Sequence, residues 1–96
     1  MPSFRVTLSI GALLPGVPPQ SVLPAVTQAA NEITTVEASD LAVVQGSARV
    51  TVRFTANDST EALRIANHVR ESLQGVAQII TWQTTQRIGG RWYPLP

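Results

Sequence analysis

Leu41-Ala-Val-Val-Gln-Gly-Ser-Ala-Arg-Val-Thr-Val-Arg-Phe-Thr55 is the stretch that decides the fold. Ala48, Val50, Val52 and Phe54 alternate with Arg49, Thr51, Arg53 and Thr55, a period of two that marks a strand with one buried face. Gly46 and Ser47 separate this run from the residues before it, so the stretch reads as a hairpin with its two-residue turn at Gly46-Ser47. Counting outward from that turn pairs Val43 with Val50 and Leu41 with Val52 on the core face, and Asp40 with Arg53 on the other. Apolar then meets apolar and acid meets base.

The same phase recurs at the start of the chain, where Phe4, Val6, Leu8 and Ile10 alternate with Arg5, Thr7 and Ser9. A first strand is expected over 3 to 10. Gly11 to Pro19 follows, and its two Gly and three Pro predict a long irregular connection. Val22, Leu23, Val26, Ala29, Ala30 and Ile33 then fall at helical spacing, with Ser21 as cap and Pro24 in the first turn, where a missing N–H costs least. A second helix is signalled by Asp58 with Glu61 three residues on, and its core stripe is Ala62, Leu63, Ile65, Ala66, Val69 and Leu73. Gly75 fits its stop. Gln78 to Ile88 reads as the last long strand, closed by Gly89-Gly90 onto a short extension from Arg91 to Leu95.

Strand, helix, strand, strand, helix, strand is an order that resembles the ferredoxin-like βαββαβ arrangement. The resemblance implies an α+β fold over residues 1–96 as one domain. It also implies a four-stranded antiparallel sheet in spatial order 4-1-3-2, two helices on one face and a short C-terminal strand extension. A sheet covered on both faces would show continuous apolar runs in its strands. The alternation seen here leaves the second face open.

Composition narrows the functions. Ninety-six residues bury roughly 65% of their unfolded surface, enough for a core without staples. There is no Cys and only one His, which excludes disulfides and thiolate metal sites and predicts no metal and no cofactor. No run approaches the roughly 18 apolar residues of a membrane span, and Met-Pro-Ser-Phe-Arg lacks a signal-peptide core, so a cytoplasmic protein without membrane contact is expected. The seven basic residues are all Arg, as codon bias in a GC-rich bacterial genome produces, and a net charge of +1 does not itself point to nucleic acid.

Charge placement says more than total charge. Arg5, Arg49, Arg53 and Arg87 fall outward on the sheet, opposed there by Asp40 alone, while Thr7 and Thr51 occupy its middle. These residues, with Trp92, are the candidate interface or anion-binding surface, since guanidinium forks match carboxylate and phosphate. The Gly89-Gly90 register sets Trp92 opposite Arg87, within reach of a cation over the indole. RNA recognition motifs share the topology, but Thr7 and Thr51 stand where those domains stack bases, so nucleic acid is not the expected partner. Acylphosphatases also share it. The 11–19 connection lacks the Arg that their phosphate loop needs.

Amino-acid-sensing ACT domains resemble the chain in carrying a Gly-bearing loop after the first strand. The resemblance implies a ligand-binding role for Gly11, Leu13, Leu14 and Gly16. No Ser/His/Asp set, P-loop or carboxylate pair is evident, and His68 lies with Glu61, Arg64 and Glu71 on the solvent side of the second helix. The reading therefore favours a small non-catalytic module that self-associates as a dimer, or docks on another protein, through its open sheet face or β edges. Three alternatives stand beside it. They are an ACT-like regulatory domain, an anion or nucleic-acid surface, and a dimeric α+β barrel enzyme with a polar cavity between sheet and helices.

Overall fold

Periodicity becomes architecture in the computed structural model, which describes residues 1–96. The elements are β1 (Ser3–Leu13), α1 (Val22–Asn31), β2 (Val36–Val44), β3 (Ser47–Thr55), α2 (Ser59–Gln74), β4 (Ala77–Ile88) and β5 (Arg91–Pro94). The sheet order is β2-β3-β1-β4-β5, with every neighbouring pair antiparallel. This is the expected ferredoxin-like α+β fold, with β5 added outside β4. No helix is long and apolar enough to cross a membrane.

Burial follows the predicted phase. Phe4, Val6, Leu8 and Ile10 of β1 and Val50, Val52 and Phe54 of β3 are buried, and they meet Val22, Val26 and Ala30 of α1 and Ala62, Ile65, Ala66, Val69 and Leu73 of α2. Phe4 and Phe54 stand in register on adjacent strands, their rings stacked with centroids 6.1 Å apart. Helix α1 stops at Asn31, so Ile33 leaves the apolar stripe and is exposed, contrary to the helical spacing.

Helix ends follow local chemistry. Asp58 accepts a 2.8 Å hydrogen bond from the Glu61 amide, and the Glu61 carboxylate accepts one from the Asn57 amide at 3.1 Å. The reciprocal cap is thus displaced by one residue from the ideal capping box. Ser21 holds the N-cap position of α1, but its hydroxyl donates back to the Pro18 carbonyl at 2.7 Å rather than accepting from the helix.

The first hairpin corrects the expected register. Gln45 and Gly46 both have positive φ, 53° and 80°, so they are the two central residues of the turn, one position earlier than Gly46-Ser47. Val44 pairs with Ser47, Val43 with Ala48, Leu41 with Val50 and Asp40 with Thr51. Moving a turn by one position shifts each partner by two, so every side chain keeps its face while the partners change. The Asp40–Arg53 pair does not form. A bulge between Val36 and Ala38 brings Glu37 to Arg53 instead, with Oε1 3.6 Å from Nε.

The connection after the first strand is shorter than expected. β1 continues to Leu13, which pairs with Ala77, and the Leu14 amide donates to the Val76 carbonyl at 2.9 Å. Two irregularities, after Ser9 and after Ile10, let the two strands stay paired past Gly11. A Cβ on Gly11 would lie 2.8 Å from Gln78 Oε1 and 3.4 Å from Ile80 Cδ1. Gly11 lets those side chains cross the strand. It is a strand residue of β1 rather than part of the connection that follows.

Candidate anion-binding site on the open sheet face

Strand parity collects the outward residues. Arg5 lies opposite Arg53 on one side and Thr85 on the other, Thr7 opposite Thr51 and Gln83, and Ser9 opposite Arg49 and Thr81. The face is uneven. A hollow of about 390 Å³ is lined by Arg5, Thr7, Ser9, Arg49, Thr81, Gln83, Thr85 and Trp92, with Trp82 at its wall. A second, of about 350 Å³, is lined by Arg5, Ala38, Ser39, Asp40, Thr51 and Arg53. Arg5 is the ridge between them.

Trp92 supplies the aromatic part. Its register places it opposite Arg87 as expected, but the cations over its ring are Arg5 at 3.9 Å and Arg53 at 5.4 Å. The indole reaches inward across β4, and Arg87 stays exposed and lines neither hollow. A second stack joins the sheet to the helical layer. Trp82, in register with buried Leu8, carries Arg70 of α2 at 4.4 Å from its ring.

Few of these cations have counter-ions. Among the seven Arg, only Arg53 and Arg64 come within 4.0 Å of a carboxylate. Arg53 Nε is buried and makes no hydrogen bond, because Glu37 is too distant for one. The hollow shared by Arg5 and Arg49 therefore presents two unpaired guanidiniums among hydroxyls and one amide. It holds no carboxylate or imidazole, so it can bind and stabilise negative charge but has no general base of its own.

The remaining candidates fall elsewhere. Leu13 packs on the core edge, Leu14 is exposed, and Gly16 has φ of 84° in an open turn with nothing within 4 Å of a Cβ. Gly11, Leu13, Leu14 and Gly16 line no hollow, so the structure does not bring them together as a ligand site. The third hollow belongs to the helical layer, at Ile33, Arg64, Ile65 and His68, and His68 Nε2 lies 3.3 Å from Glu32. Between sheet and helices the apolar core leaves no polar cavity of the kind expected for a dimeric barrel enzyme. No group of three or more His, Asp or Glu is close enough to hold a metal ion.

Ser9, Thr81, Gln83 and Thr85 were not singled out from sequence. The signal for three of them is the Gln78–Ile88 run itself, whose odd positions share the outward phase once β4 is set beside β1.

No family model matches the chain, and no curated protein matches it. Among solved structures, it is similar to a protein from Chloroflexus aurantiacus described as a "putative antibiotic biosynthesis monooxygenase". The two share 14% identity and a TM-score of 0.49, over 93% of this chain and 96% of the other. At that identity the likeness is one of fold. That protein is described as an enzyme, in contrast to the non-catalytic module expected from the sequence.

Proposed function

We propose that the protein is an enzyme of the dimeric α+β barrel kind whose small-molecule chamber lies on the open face of the sheet rather than in the expected cavity between sheet and helices. The observation that supports this reading is the hollow of about 390 Å³ in which Arg5 and Arg49 stand without carboxylate partners beside Trp92. That volume falls within the range of small-molecule sites, roughly 300 to 1,000 Å³. With no general base among its lining residues, its contribution to catalysis is orientation and stabilisation of developing negative charge by the two guanidiniums.

An open hollow cannot exclude water by itself, and water weakens every electrostatic contact within it. A second copy of the chain, related by a two-fold axis and laid over the open face, closes the chamber. Two-fold homodimers are the commonest assemblies, and the Thr-rich face admits close approach.

Untargeted profiling of a metabolite extract incubated with the protein tests the enzyme reading. At least one small molecule is consumed by the native chain and spared by the Arg5→Gln/Arg49→Gln variant. An extract unchanged by the native protein, with oxygen and common redox cofactors supplied, contradicts it.

A further inference from the structure

We infer that the ligand of this chamber is a small planar oxyanion, a carboxylate on a flat conjugated frame, with its charge on Arg5 and Arg49 and its frame along Trp92. The inference deepens the reading of the open face as a small-molecule site and rests on it. Its starting point is an unfavourable pair. Arg5 and Arg53 stand directly opposite each other on β1 and β3, an arrangement in which like charges repel. Glu37 offsets only Arg53, and the Trp92 ring lies within reach of both guanidiniums. Arg49, two rows along the same face, adds a third positive charge without a partner. The face therefore has a standing excess of cation that an anion relieves.

Geometry then limits the kind of anion. The Arg5 guanidinium carbon is held 3.9 Å from the centre of the Trp92 ring, and its N–H donors make no side-chain hydrogen bond, so they remain free for a ligand. A fork fixed in that way suits a planar carboxylate held by two parallel N–H contacts. Thr7, Ser9, Thr81 and Gln83 line the rest of the hollow and supply neutral donors and acceptors. Asp40 faces the neighbouring hollow with no cation within 4.0 Å. It repels a run of phosphates and accepts an N–H or O–H from the far end of a short ligand. Arg87 and Arg91, which a polyanion would need, lie outside both hollows.

The test is a titration of ¹⁵N-labelled native protein followed at the Trp92 indole N–H, assigned with a Trp82→Phe variant. Benzoate, benzamide and a short oligonucleotide are the probes. Benzoate is expected to shift the signal saturably, and Arg5→Gln and Arg49→Gln are each expected to weaken it at least about tenfold, as loss of a charge-assisted contact does. Equal shifts with neutral benzamide would overturn the anion assignment while leaving a small-molecule chamber. Tighter binding of the oligonucleotide, or benzoate binding indifferent to both variants, would overturn it as well. A strictly monomeric protein that still binds benzoate through Arg5 and Arg49 would support the anion site and contradict only the second copy.

Discussion

The guanidinium of Arg5 lies 3.9 Å from the centre of the Trp92 ring, joining the middle of the sheet to its last strand. This stack spans β4, and it forms one wall of the hollow that Arg5 shares with Arg49. The four-residue β5 otherwise hangs on one neighbour. A double-mutant cycle on Arg5→Ala and Trp92→Ala, read by urea denaturation, should give a coupling of about 0.5 to 1 kcal/mol, as partly exposed cation–π pairs do. Additive effects would show that the two side chains are merely adjacent.

The turn at Gln45-Gly46 gives a prediction of opposite sign at its two positions. Gly46→Ala places a Cβ at φ of 80° and should destabilise the protein by about 1 kcal/mol. Gln45→Asn should raise the melting temperature, because Asn-Gly is the pair this turn type prefers. A Gln45→Asn variant that melts lower would contradict the assignment of the turn.

Gly11 tests the division between strand and site. Its φ is not in the left-handed region, and the atom a Cβ would crowd is the far end of the flexible Gln78 side chain. Gly11→Ala should therefore change stability by less than about 0.5 kcal/mol, crowding being offset by a better strand former. Binding of benzoate should be unaltered. A large loss of binding would restore the region around Gly11 as a ligand loop.

Much of the fold was legible because alternation is a local signal. Phe4 to Ile10 and Ala48 to Phe54 show their buried faces directly, and the Asp58 cap declares the second helix. The hairpin register was not legible to the same degree, since Gly46-Ser47 and Gln45-Gly46 preserve the same faces and both give apolar pairs. What separates them is a positive φ at Gln45, which composition does not reveal. The Glu37 bulge and the continuation of β1 past Gly11 arise from pairing with another strand, and no single segment encodes that.

The site was legible in part for the same reason. Parity put Arg5, Arg49 and Arg53 on one face, and the Gly89-Gly90 turn placed Trp92 opposite Arg87. Which cation the indole meets depends on reach across β4, and there Arg5 replaces Arg87. The hollows are a property of the assembled face, where Thr and Ser stand between longer side chains.

If two copies close over a face with excess positive charge, anion binding and dimerisation are linked, because the anion removes repulsion between the copies. Benzoate should therefore tighten the dimer, and Arg5→Gln/Arg49→Gln should abolish that tightening. A dimer constant independent of benzoate would separate the two events.

Sedimentation equilibrium of the native chain, with and without benzoate at low salt, tests the closed chamber most directly. The account predicts a species of twice the 10.3 kDa chain mass at micromolar concentration, with benzoate lowering the dissociation constant. A 10.3 kDa monomer at high micromolar concentration under both conditions would contradict it.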